Sequence, residues 1–153
     1  MRASRSLLLT SLMSLILSTT VVDARSQWSK EQAHAWYSEQ PWLIGANFTP
    51  STAVNQIEMW HKDTFDSATI DKELGMAADI GMNTIRVFLH NLVWENDKEG
   101  FHARIDEFLE LSDKHNIKVL FVLFDSDWDP NPVYGKQKPP VPGVHNSRWV
   151  QSP

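Results

Sequence analysis

The chain has 153 residues, 42% apolar and 22% charged, the make-up of an ordinary globular protein, which excludes a collagen, a coiled coil and a disordered tail. Its 14 Lys and Arg against 19 Asp and Glu give a formal charge of −5, so there is no electrostatic footprint for a phosphate backbone and no nucleic-acid partner is expected. Cysteine is absent while tryptophan occurs seven times; disulfide frameworks, Cys-ligated zinc and thiol nucleophiles are removed, and the surplus of large flat rings suits stacking on a ligand.

In chain order, Met1 to Ala24 carries Arg2 and Arg5, then an apolar run from Leu7 to Leu17 interrupted only by Thr and Ser, then Val22-Asp23-Ala24. This is the pattern of a cleavable secretory signal. The apolar run is about 11 residues where a bilayer takes roughly 20, so no stable membrane anchor is expected and the protein is placed outside the cytoplasm, secreted or periplasmic. The mature part would be residues 25–153.

Trp42-Leu43-Ile44-Gly45-Ala46-Asn47-Phe48, ended by Thr49-Pro50, reads as a short buried strand. Ser67 to Ile80 places Ile70, Leu74, Ala77 and Ala78 at helical spacing, and Gly81 supplies a left-handed stop. Thr84 to Leu89 is a second apolar strand with Arg86 in its middle. Phe101 to His115 repeats the helical pattern with Phe101, Ile105, Phe108 and Leu109 on one stripe, and Asn116 ends it. Val119 to Phe124 contains no polar residue, which predicts a strand covered on both faces, as in parallel sheets.

Strand, helix, strand, helix, strand predicts an α/β fold with a parallel sheet, either an open doubly wound sheet or a closed eight-stranded barrel. The first turn, Asn47-Phe48-Thr49-Pro50, has no glycine after Gly45 to cradle a phosphate, and no Walker-type loop occurs elsewhere, which favours the barrel. The expected architecture is an incomplete (β/α)8 TIM barrel, its first three strands and two helices. From Asp129 onward Pro130, Pro132, Pro139, Pro140, Pro142 and Pro153 mark a long irregular loop. Three strands of eight, the last with an unpaired edge, lead to the expectation that residues 25–153 are the N-terminal part of a truncated barrel.

In such a barrel the chemistry sits at the carboxyl ends of the strands. Strand alternation puts Arg86, Phe88 and His90 on one side and Ile85, Val87 and Leu89 on the other, toward the helices. Arg86 would then point inward, where a lone guanidinium is costly unless a carboxylate pairs with it. That makes it either an active-site arginine or half of a structural ion pair; Asp125 is at best a candidate at the rim, so the partner is expected on a missing strand. His90 offers a hydrogen bond and Trp94 a stacking surface, although each type is also common as plain structure. Trp128, flanked by Asp127, Asp129 and prolines, is the better platform. Asp125 and Asp129 suit hydroxyls, or serve as turn-formers. Asn47-Phe48-Thr49 matches a glycosylation acceptor but lies at a strand end. No His-x-His or His-Glu-x-x-His ligand set and no Gly-x-Ser-x-Gly elbow is present, so no metal and no cofactor are expected.

Four segments together carry a resemblance: Trp42 to Pro50, Met82-Asn83-Thr84-Ile85-Arg86-Val87-Phe88-Leu89-His90, Val122-Leu123-Phe124-Asp125, and Val144-His145-Asn146-Ser147. They resemble the N-terminal part of bacterial barrel glycoside hydrolases, the family 5-like group of clan A, often labelled cellulase-family or 1,4-beta-xylanase-like. The resemblance implies retaining hydrolysis of a β-linked polysaccharide of xylan, mannan or cellulose type, by two carboxyl groups about 5 to 5.5 Å apart. In the clan these are glutamates at the ends of the fourth and seventh strands, the first usually preceded by asparagine. This sequence has no Asn-Glu dipeptide, so both the acid/base and the nucleophile are expected downstream. By the same likeness Arg86 would orient the nucleophile, and Asn47, His90, Trp94, Asp125 and Trp128 would line the sugar subsites. The alternative is a non-catalytic secreted carbohydrate-binding protein, complete at Pro153.

Overall fold

The computed structural model describes residues 26–153; the secretory-signal segment, Met1 to Ala24, lies outside the described residues. The chain divides into two units, one ending at Glu39 and the other running from Gln40 to Pro153. In the first, α1 (Lys30–Ser38) is an element the sequence reading did not contain. Its start is a reciprocal cap: the Gln32 amide N–H donates to Ser29 Oγ at 3.2 Å and the Ser29 N–H to Gln32 Oε1 at 2.9 Å.

The second unit runs β1 (Gly45–Asn47), α2 (Gln56–Trp60), α3 (Ser67–Asp79), β2 (Thr84–Phe88), α4 (Asn91–Asn96), α5 (Lys98–Lys114) and β3 (Lys118–Val122). The strands form one parallel sheet in the order β1-β2-β3, with Gly45 opposite Thr84 and Arg86 between Asn47 and Leu120. The α/β class and the parallel sheet are as predicted, and the two long helices fall where their periodicity put them.

Each helix end has a chemical cause. Asp66 caps α3 by accepting from the Thr69 N–H at 3.0 Å and the Thr69 hydroxyl at 2.6 Å. Beyond the helix, Gly81 at φ 89° lets the Met82 N–H reach the Ala77 carbonyl at 3.0 Å. Asn116, at φ 54°, turns the chain out of α5 so that the Ile117 N–H meets Ser112 O at 2.9 Å. Helix α5 starts three residues before Phe101, because the Asp97 carbonyl already accepts from the Phe101 N–H at 2.8 Å.

The core lies on one face of the sheet. Ile85 and Val87 of β2 are buried together with Ile70 and Leu74 of α3 and Phe108 of α5. Trp60, fully buried, stands edge-on to Phe101 and Phe108 at 5.6 and 5.3 Å, and its indole N–H donates to the Phe88 carbonyl at 2.8 Å.

The opposite face corrects two expectations. The sequence predicts a buried strand over Trp42 to Phe48, of which only Phe48 is buried, and a strand covered on both sides over Val119 to Phe124. Instead β1 is three exposed residues, Trp42 is 85% exposed, and Leu120, Leu123 and Phe124 are also exposed. The physical reason is one-sided packing: the core residues of α3 and α5 meet the Ile85 and Val87 face, and the Arg86 and Leu120 face is left to solvent. The apolar runs carry the composition of a two-sided layer whose second side, apart from Phe88 against Trp149, is bare among the described residues.

After β3 the chain is irregular, as its prolines predict, yet it folds back on itself through two isolated bridges outside the strands. Asp125 bridges Ser152 antiparallel and Asp129 bridges Val150 in parallel. Asn55, buried at the start of α2, donates from its amide nitrogen to the Arg148 carbonyl and to Gln137 Oε1, each at 2.9 Å, and Gln56 donates to the Val150 carbonyl at 2.6 Å. These bonds hang the returning segment on α2.

Candidate functional site

A cleft of about 600 Å³ opens at the carboxyl ends of the strands, where β1, β2 and the post-β3 segment converge. It gathers Asn47, Arg86, Asp125 and Trp128, four of the six residues singled out from sequence. Arg86 is exposed, and its guanidinium lies 4.6 Å from the Phe88 ring centre while Nη1 donates to Asn47 Oδ1 at 3.4 Å. Among the described residues it is joined to no carboxylate. Its contacts here are a weak amide bond and a cation over an aromatic face.

Asp125 is spoken for. Its Oδ2 accepts the Trp149 indole N–H at 2.8 Å and its Oδ1 the Asp127 backbone N–H at 3.1 Å. The carboxylate fixes Trp149, whose ring meets Phe88 edge-on at 5.2 Å, and builds the cleft wall. Asp129 follows its turn-forming alternative, with Oδ1 accepting from the Asn131 N–H at 2.9 Å.

Trp128 has a backbone that its side chain disfavours. At φ 75° it occupies the left-handed region, where a bulky residue is an outlier costing on the order of 1–3 kcal/mol. The residue is 48% exposed and lines the cleft, and its ring meets the His145 ring edge-on at 5.7 Å. The turn is braced from within, for Gln151 Nε2 donates to the carbonyls of Ser126 at 2.7 Å and Trp128 at 3.3 Å.

His90 and Trp94 are not in this cleft. They line a second, apolar hollow of about 320 Å³ with Leu89, Phe101, Leu123 and Phe124. The alternation that grouped His90 with Arg86 ends with β2 at Phe88; past it the chain turns and His90 becomes the N-cap of α4. The His90 ring is 1% exposed, Nδ1 accepts from the Leu92 N–H at 3.1 Å, and Nε2 lies 2.8 Å from the Gln151 carbonyl. Only the neutral ring with its proton on Nε2 satisfies both bonds. Burial pushes its pKa down, opposed by the Gln151 carbonyl and by Glu95. The Trp94 ring is 45% exposed and one of its faces meets Lys98, whose Nζ is 5.0 Å from its centre.

Sequence reasoning missed Trp149 and Asp127 at the cleft, and Gln151, which braces the turn behind it. His145 and Asn146, part of the fourth resembling segment, do line it. For Trp149 the available signal was a large aromatic at the end of the proline-rich stretch, which says nothing of where the loop returns. Among the described residues no group of three His, Cys, Asp or Glu is placed to hold a metal ion, and no helix is long and apolar enough to cross a membrane.

The cleft therefore offers an exposed indole face, a guanidinium, an amide and a carboxylate, a mixture suited to a neutral polyhydroxylated ligand with one apolar face. No family model, curated protein or solved structure matches this chain.

Proposed function

We propose that this chain forms part of the substrate cleft of an exported retaining glycoside hydrolase acting on a β-linked polysaccharide, with its sheet the first three staves of a (β/α)8 barrel. The observation that carries the reading is the convergence of Arg86, Asn47, Asp125 and Trp128 on one cleft at the carboxyl ends of parallel strands. In support, Arg86 has no carboxylate partner among the described residues, as a group that orients an absent nucleophile would not. The bare Arg86 and Leu120 face is the one a closed barrel would turn inward. Trp128 supplies a ring face for a pyranose, and Asn47 and Arg86 supply donors for its hydroxyls.

No glutamate lines the cleft among the described residues, and Asp125 is engaged by Trp149. The acid/base and nucleophile of the retaining mechanism are accordingly assigned to residues outside this set. The test is calorimetric titration of the chain with xylohexaose, mannohexaose and cellohexaose, alongside a reducing-sugar assay. One hexaose should bind, with affinity falling about twofold to tenfold in Trp128→Ala, the factor of an aromatic stacking contact, and no reducing sugar should appear. A folded protein that binds none of the three sinks the reading, and turnover above a blank sinks the assignment of the catalytic pair elsewhere.

A further inference from the structure

We propose that His90 is a positioning residue for the sugar cleft, acting through Gln151 on the turn that presents Trp128. The inference rests on the reading of Trp128 as the sugar platform. It gives a buried histidine outside the cleft a task beyond capping a six-residue helix.

The connection can be followed atom by atom. The His90 ring, closed off from solvent, donates from Nε2 to the Gln151 carbonyl at 2.8 Å. Gln151 in turn holds the turn at three carbonyls: its backbone N–H donates to Asp129 at 2.9 Å, and its side-chain Nε2 donates to Ser126 and Trp128 at 2.7 and 3.3 Å. Trp128 sits at φ 75°, a conformation that a Cβ-bearing residue leaves unless its surroundings hold it. Once the grip is released, the backbone relaxes to negative φ and the indole leaves the cleft. The ring of His90 is bound at both nitrogens, so it is a fixed point from which Gln151 can be held. The second nitrogen, Nδ1, serves the α4 cap, which makes the two roles separable by substitution.

His90→Asn places an amide oxygen where Nδ1 stands and keeps the cap, but is too short to reach Gln151. His90→Gln places an amide nitrogen near the position of Nε2 and keeps the tether. Two readouts are taken on the full chain. One is the near-ultraviolet circular dichroism of Trp128 without sugar, obtained as the difference from a matched Trp128→Phe protein; the other is affinity for the hexaose that binds. His90→Asn should diminish the Trp128 band and weaken affinity about threefold to tenfold, the range of one hydrogen bond. His90→Gln should restore both. Gln151→Ala should match His90→Asn, and the double variant should be no worse than either single one. An unchanged band in folded His90→Asn overturns the proposal; if that variant does not fold, an unchanged band in Gln151→Ala overturns it instead. A changed band with unchanged affinity, together with full affinity in Trp128→Phe and Trp128→Ala, would refute the sugar-platform reading while leaving the positioning role standing.

Discussion

Trp128 can be used to weigh backbone strain against side-chain packing, because alanine and glycine remove the same ring but differ in a single carbon. An aromatic side chain buries about 150–250 Å² when fully covered. The half-covered Trp128 thus hides about 100 Å², which at about 25 cal/mol per Å² is about 2.5 kcal/mol lost in either variant. Alanine keeps the Cβ and with it the left-handed penalty of about 1–2 kcal/mol. Glycine sheds that penalty and gives back about 0.5–1 kcal/mol through its freer unfolded chain. Trp128→Gly should therefore be the more stable of the two by about 0.5–1 kcal/mol, and both should bind the hexaose equally poorly. Urea unfolding followed by far-ultraviolet circular dichroism, with equal slopes, measures the difference as a shift in midpoint. If Trp128→Ala proves as stable as Trp128→Gly or more so, the backbone at this position is not left-handed, and the account of a held turn fails with it.

Two further expectations concern the frame beneath the cleft. A Cβ at Gly45 would run into the Thr84 carbonyl, and backbone gives way little, so Gly45→Ala should cost about 1–3 kcal/mol in urea; an unshifted midpoint would mean that β1 does not lie so close to β2. Asp71 of α3 is gripped by Lys114 Nζ at 2.7 Å and His115 Nε2 at 2.7 Å, which hold its carboxyl below the ordinary 3.8. A depressed carboxyl contributes its stability in full above the unfolded value and loses it as pH falls through the folded one. Wild type should then weaken below about pH 4, Asp71→Asn should be less stable at pH 6, and the variant's acid limb should be shallower. Superimposable acid curves for the two proteins would refute the clasp.

The long elements were legible because they repeat one instruction many times. Ile70, Leu74, Phe101 and Phe108 recur at helical spacing, and Gly81 and Asn116 stand where a left-handed residue is required. Helices α2 and α4, of five and six residues, are too short for a period to declare itself. They are set instead by single caps, Asn55 and His90, and by tertiary bonds. Composition also misled on burial, for Leu120 and Phe124 are as apolar as covered residues and nevertheless exposed. At the cleft, residues that follow directly from strand geometry, Asn47, Arg86 and Asp125, were found. His90 and Trp94 were misplaced, since an alternation rule holds only while the strand lasts. Trp149 and Gln151 depend on where a long loop comes back, and nothing local encodes that.

The bonds that close the cleft join residues far apart in the order of synthesis: His90 to Gln151 across 61 positions, and Asn55 and Gln56 to Arg148 and Val150 across 93 and 94. Helices α3 and α5 and their strands need no such distant partner. On the ribosome, the nascent polypeptide therefore acquires most of its hydrophobic interior before residues 148–152 emerge, and the ligand-facing surface is assembled last. A ribosome-stalled chain released at about residue 145 would carry the scaffold without the grip on Trp128.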